Sequence, residues 1–112
     1  MSVNDFRISS IFRLSQGTYL YYITIYLAPG DYHRFHAPCN FLIAQIRHFP
    51  GNLAPVNKKW ASKLQGLYSI NERVVLSGNT KMGKHFNLAL VGAFGVGSIE
   101  LYHDQVSKFL RF

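Results

Sequence analysis

From Asp31 to His36 the chain reads Asp31-Tyr32-His33-Arg34-Phe35-His36, an acid, two imidazoles and a guanidinium within six residues, bracketed by Pro29 and Pro38. Such a set points to proton transfer. Histidine is the side chain that ordinarily changes charge near neutrality, so it can take a proton from a hydroxyl and return one to a carbanion. Two histidines side by side can serve two separate steps. Asp31 lies two residues before His33, and in an extended chain those positions share a face, so Asp31 can orient the His33 ring. The plain alternative, a hydrogen-bonded turn with partly buried rings, accounts for the same spacing. Zinc is the other chemistry that paired imidazoles offer. It needs a third ligand, and neither a cysteine pair nor a His-Glu-x-x-His motif supplies one, so no metal site is expected. His48, His85 and His103 stand alone in the sequence and read as surface or hydrogen-bonded structural residues.

The elements around this segment read mainly as strands. Tyr19 to Leu27 is aromatic and β-branched, which predicts a buried strand ended by Pro29-Gly30. Asp31 to Pro38 is expected to be extended or turning, because Ala37 precedes a proline and is pushed out of helical geometry. Asn40 to Phe49 predicts a second strand, closed by Pro50-Gly51. A short helix is expected after Asn57 as N-cap, with Trp60, Leu64 and Leu67 at helical spacing and fraying near Gly66. Arg73 to Leu76 and Phe86 to Val91 read as a strand pair around the polar connection Ser77 to Lys84. The glycine-rich run Gly92 to Ile99 suggests a bulged strand or a close backbone approach. The fold class is α+β, a mostly antiparallel β-sheet with one short helix.

Composition narrows the field further. At 112 residues and 48% hydrophobic content the chain can bury a core, which excludes a disordered polymer. Twelve Lys and Arg against five Asp and Glu leave a formal charge of +7, so anionic partners are attracted, either phospholipid headgroups or nucleic acid, and charge alone does not choose between them. The basic residues are scattered, without the block expected of a nucleic-acid arm, and no RNA-binding motif is present. Nucleic acid is therefore not the expected partner. A single cysteine, Cys39, excludes an internal disulfide and reads as a small buried hydrophobe. The most apolar stretch, Tyr19 to Pro29, is far shorter than the roughly 20 residues a spanning helix needs. Nor does the N-terminus carry the basic and apolar regions of a secretory leader.

Four stretches together resemble a known family. They are Tyr26-Leu27-Ala28-Pro29-x-Asp31-Tyr32-His33-Arg34-Phe35-His36-x-Pro38, Phe49-Pro50-Gly51-Asn52-Leu53 with Val56-Asn57, Asn71-Glu72-Arg73-Val74, and Val91-Gly92-Ala93-x-x-Val96-Gly97-Ser98-Ile99. In this order and spacing they are similar to the signature of the phosphatidylserine decarboxylases, over about Leu20 to Tyr102. The resemblance divides the chain into an unmatched segment 1–18, a decarboxylase-like β-rich region 19–103 and an unmatched tail 104–112, an incomplete portion of a larger domain.

The resemblance implies a carboxy-lyase that converts phosphatidylserine to phosphatidylethanolamine and carbon dioxide. It also implies a pyruvoyl group, made when a serine attacks its preceding peptide bond with a histidine as base and an acid behind it. By position, His36 matches the base for self-cleavage and His33 the histidine of decarboxylation and protonation. Asp31, Tyr32 and Arg34 belong to the same motif and are assigned support of the loop. The family's acid lies in an upstream Asp-Gly motif and its serine in a Gly-Ser-Thr motif, and neither occurs in these 112 residues. Gly97-Ser98-Ile99 matches a different family motif. The chain is therefore expected to be a middle portion of a decarboxylase, inactive by itself. A complementary subunit or full-length decarboxylase is its possible protein partner, and phosphatidylserine in an anionic membrane its lipid one. Membrane association, at the mitochondrial inner membrane in a eukaryote, follows by the same likeness. The competing reading is a non-catalytic basic β module that binds anionic lipid or a full-length decarboxylase.

Overall fold

The computed structural model describes residues 6–102 and 110–111, with side-chain surroundings for residues 15–102. The expectations for His103 and the end of the chain lie mostly outside this range. Two compact units divide the chain, Met1–His36 and Ala37–Phe112. Their border falls inside the region 19–103 that the motifs span.

The first unit is a β-hairpin followed by the histidine-bearing loop. Strand β1 (Phe6–Ser15) pairs antiparallel with β2 (Thr18–Ile25), from Phe6 opposite Ile25 to Ser15 opposite Thr18. The ladder is irregular between Ser9 and Ile11 and between Arg13 and Ser15. As expected, the aromatic and β-branched run forms a strand. It is not a buried one, however: Tyr21 is 68% exposed, and Ile23 and Ile25 are 56% exposed. The reason is architectural. A strand apolar on both faces needs cover on both sides, and among the described residues this sheet has two strands.

The second unit is organised around a three-stranded antiparallel sheet in the order β3-β4-β5. Its strands are β3 (Phe41–Phe49), β4 (Arg73–Thr80) and β5 (His85–Val91). Central β4 shows the alternation of a half-buried strand, with Val74, Leu76 and Gly78 buried between more exposed neighbours. Val74 and Leu76 form the core with Leu101, and Phe41, Ile43, Leu88, Leu90 and Ile99 pack against it. Burying a side chain such as Val74 completely contributes about 1.5–3 kcal/mol.

Both β4 and β5 are longer than the sequence suggests, because the polar Ser77-Gly78-Asn79-Thr80 continues the ladder down to Asn79 opposite His85. The turn is correspondingly tight, with Thr80 and Lys84 bonded backbone to backbone at 2.8 Å. The two-residue strands β6 (Glu100–Leu101) and β7 (Leu110–Arg111) pair antiparallel.

Where one short helix is expected there are two single turns, α1 (Lys58–Ala61) and α2 (Leu67–Ile70). Asn57 caps the first as predicted, its side-chain oxygen accepting from the Trp60 N–H at 3.1 Å. Gly66, in left-handed backbone at φ 73°, separates them and begins the second. The glycine-rich run folds as a narrow turn, with Ala93 bridged to Val96. Its close approach is to Leu53: a Cβ on Gly97 would lie 2.6 Å from Leu53 Cδ1. A side chain at this position would require the Leu53 side chain to shift.

Candidate active site

The histidine loop is built from very local hydrogen bonds. Its first turn closes when the Asp31 N–H donates to the Ala28 carbonyl at 3.0 Å. The Asp31 carboxylate reciprocates by accepting from the Ala28 N–H at 2.9 Å. Asp31 therefore spends its side chain on the turn. It still orients His33, but through its backbone carbonyl, 2.7 Å from Nδ1. A carbonyl oxygen can only accept, so Nδ1 of His33 carries the proton and the lone pair of the neutral ring resides on Nε2. That leaves a proton acceptor at the outer end of an exposed ring.

His36 is held differently. Its Nε2 lies 2.7 Å from the Tyr32 hydroxyl. The two rings stack, with an interplanar angle of 9° and centroids 5.8 Å apart. Tyr32 and His36 are four residues apart, and their side chains meet across an irregular segment that forms neither helix nor strand. Arg34 is exposed on the same segment. Asp31 is thus joined to His33, and Tyr32 to His36, each imidazole anchored at one nitrogen by a separate partner. Cys39, just beyond, is a half-buried thiol. Among the described residues no three His, Cys, Asp or Glu side chains gather as a metal-binding group.

The other three motifs meet one another in the second unit. Asn71 is fully buried, and its side chain links two segments: Oδ1 accepts from the Ala54 N–H at 3.1 Å, and Nδ2 donates to the carbonyls of Ala54 and Gly92 at 2.8 and 3.0 Å. Glu72 joins the same segments by its backbone, its N–H bonded to Asn52 O and its carbonyl to the Gly92 N–H. The Glu72 side chain accepts from His48 Nε2 at 2.8 Å and from the Gly51 N–H at 3.3 Å. A Cβ on Gly51 would collide with the backbone of Ile70, Asn71 and Glu72, which is why the Pro-Gly turn can lie this close.

The hydrogen bond from His48, then that from Gly51, and lastly the charge of His48 hold the Glu72 carboxyl below the ordinary carboxylate range, against a smaller opposing effect of partial burial. Arg73 completes the set. Its Nη1 donates to Ser69 O at 2.7 Å and Asn71 O at 3.2 Å, and its guanidinium sits 4.5 Å from the centroid of the Phe49 ring. Arg47 lies 5.0 Å from the same ring. Sequence reasoning left His48 without a partner, because Glu72 is 24 residues away. The strand register supplies it: Phe49 pairs with Arg73, so His48 and Glu72 stand diagonally across the end of the ladder.

Comparison with known proteins agrees with the motifs. The family model for phosphatidylserine decarboxylase matches residues 3–111. The mitochondrial phosphatidylserine decarboxylase proenzyme of Cricetulus griseus is 52% identical over 90 residues, covering 80% of this chain and 22% of that protein. The one from Rattus norvegicus is 47% identical over 104 residues, 93% of this chain and 25% of the relative. In Saccharomyces cerevisiae the proenzyme numbered 1 is 47% identical over 88 residues, 79% and 17%. The chain thus spans a quarter or less of the length of these relatives. With a match that runs through both units and all four motifs, the chain belongs to the phosphatidylserine decarboxylase family.

Proposed function

We propose that this chain is the proton-handling portion of a phosphatidylserine decarboxylase, with His36 as the base of self-cleavage and His33 as the proton carrier of decarboxylation. The observation that carries this reading is the pair of exposed imidazoles, each fixed at one ring nitrogen by a neighbour in the same loop. In His33 the proton on Nδ1 is tied to Asp31 O, so exchange with a substrate falls to Nε2. Asp31 acts by closing the turn from Ala28, and Arg34, exposed on the same loop, brings positive charge to where an anionic headgroup would lie.

A pyruvoyl group supplies the electron sink for this class of decarboxylation. The residues of this chain do not furnish it. The sequence holds no Gly-Ser-Thr, and Ser98 is an exposed residue of an extended segment whose neighbour Gly97 is packed on Leu53. The lipid substrate and a mitochondrial site of action follow from the names of the relatives. The net charge of +7 favours an anionic surface, at about 1 kcal/mol for each Lys or Arg near it. No helix among the described residues is long and apolar enough to cross a membrane. A decarboxylase polypeptide carrying the Gly-Ser-Thr motif is the protein partner this reading requires.

The test is a chimera in which this chain replaces the matching segment of the Cricetulus griseus proenzyme. Self-cleavage is read on a gel and carbon dioxide from carboxyl-labelled phosphatidylserine. The parent chimera should cleave and release carbon dioxide. His36→Ala should slow cleavage by about a hundredfold or more, while His33→Ala should cleave and lose carbon dioxide release to a similar degree. Cleavage of the His36→Ala chimera at the parent rate would overturn the assignment.

A further inference from the structure

The contact between Tyr32 and His36 leads beyond general support of the loop. A phenol and an imidazole nitrogen at 2.7 Å share one proton, and either can hold it. In the first arrangement Tyr32 O–H donates to the lone pair of Nε2 and the ring proton is on Nδ1. In the second, Nε2–H donates to the phenol oxygen. The phenol is the stronger acid and the weaker base of the two neutral groups, so the first arrangement is favoured. A free histidine side chain has the opposite preference, with its proton on Nε2. The near-parallel rings, 9° apart in plane with centroids at 5.8 Å, add a second contact between the same two side chains.

From this geometry we propose that Tyr32 is a positioning residue that holds His36 in the Nδ1–H tautomer and so designates Nε2 as its basic nitrogen. The proposal rests on the reading of His36 as a base. A base in a serine–histidine–acid arrangement needs its proton on the nitrogen that faces the acid and its lone pair on the one that faces the hydroxyl. Tyr32 imposes that tautomer from within the loop, before either the acid or the serine is in place. Its hydroxyl also occupies the position a serine hydroxyl would take on Nε2. It must therefore swing aside, or accept the serine proton while passing its own to Nε2. Both routes conserve protons and need no other reactant. In both, the ring is ready when the hydroxyl arrives.

The full 112-residue chain, labelled with nitrogen-15 at histidine, gives the direct test. Long-range proton–nitrogen correlation spectra above the pH of imidazole titration distinguish the two tautomers, and loss of one signal set in His36→Gln assigns it. His36 should show the Nδ1–H pattern. Tyr32→Phe keeps the ring and removes the hydroxyl, at a position already 47% exposed, and should shift His36 to a mixture rich in Nε2–H. Self-cleavage of the chimera should slow about tenfold in Tyr32→Phe, the worth of one hydrogen bond. An Nε2–H pattern in the unsubstituted chain, or no change in Tyr32→Phe, overturns the proposal. The two levels separate cleanly. Continued cleavage by the His36→Ala chimera removes the base assignment, and an His36 tautomer indifferent to Tyr32 removes only this one.

Discussion

Two histidine environments occur in this chain, one in each unit, and differ in the range of their contacts. His33 and His36 are exposed, and their partners are two and four residues away. His48 is partly buried and reaches Glu72, 24 residues further on. The first kind of contact orients a ring without joining parts of the fold. The second joins the end of β3 to the start of β4 and, through Gly51, to the Pro-Gly turn between them. A histidine intended for chemistry must keep a nitrogen accessible to its substrate. One that braces the fold must give its nitrogen to a fixed partner. The difference teaches that four motifs of one family are built in two ways: the histidine motif keeps its rings exposed on local contacts, as the proposed proton transfer requires, and the other three carry the bonds that hold a sheet end together.

The sharpest way to break that division is to attack the brace at its buried centre. Asn71 makes three hydrogen bonds and is inaccessible to water. Removing its amide leaves the Ala54 N–H and the carbonyls of Ala54 and Gly92 without their partner. Asn71→Ala should cost about 3 kcal/mol, since the buried Gly92 carbonyl and the part-buried groups of Ala54 then carry a desolvation cost with no hydrogen bond to offset it. Urea unfolding followed by Trp60 fluorescence measures it. A loss below about 0.5 kcal/mol would mean that the three motifs are not joined in the way these bonds imply.

A smaller effect, and one with a sign, belongs to Glu72. Its carboxyl titrates below the ordinary range in the folded chain, with the His48 hydrogen bond as the main cause. Between the lowered folded value and the ordinary unfolded value, the unfolded chain binds more protons than the folded one. Stability therefore rises with pH through that window. The contribution is complete above the ordinary carboxylate range and is lost as pH falls through the folded value. Urea midpoints measured in steps from about pH 6 to about pH 3 should decline, and Glu72→Gln should flatten the decline. An unchanged slope in Glu72→Gln would show that the carboxylate does not brace the Pro-Gly turn.

How much of this was legible beforehand follows the same division. The histidine loop could be read from sequence because its geometry is made by near neighbours and two prolines. Even there, Asp31 was matched to the right ring and the wrong atom, since spacing cannot tell a carboxylate from a backbone carbonyl. Strand identities were legible from Val74, Leu76, Leu88 and Leu90, whose alternation matches the sheet. The length of β4 was not, because Gly78 and Asn79 read as turn residues and only pairing with Phe86 and His85 extends the strand. Burial of Tyr19 to Leu27 was misjudged for a related reason. An apolar run states that a strand needs cover and says nothing about where the cover comes from. Most opaque was the His48–Glu72 pair, because strand register is a property of the whole sheet and not of either segment.

The smallest expected effect is the most discriminating. If His33 and His36 are reserved for chemistry, replacing them should hardly touch stability. Each makes one hydrogen bond within its own loop, both rings are solvent-exposed, and neither contact ties together distant strands. His33→Gln and His36→Gln should each move the unfolding free energy by less than about 0.5 kcal/mol, the range of surface substitutions. His48→Gln should destabilise measurably, because Glu72 then loses its closest partner. Urea unfolding of the three variants under one set of conditions decides the matter. Equal losses for all three would place the loop histidines among the fold's structural contacts, and the distinction between reacting and bracing imidazoles would fail. Losses confined to His48 would leave the exposed pair without a structural reason to be histidine, as their proposed role in proton transfer requires.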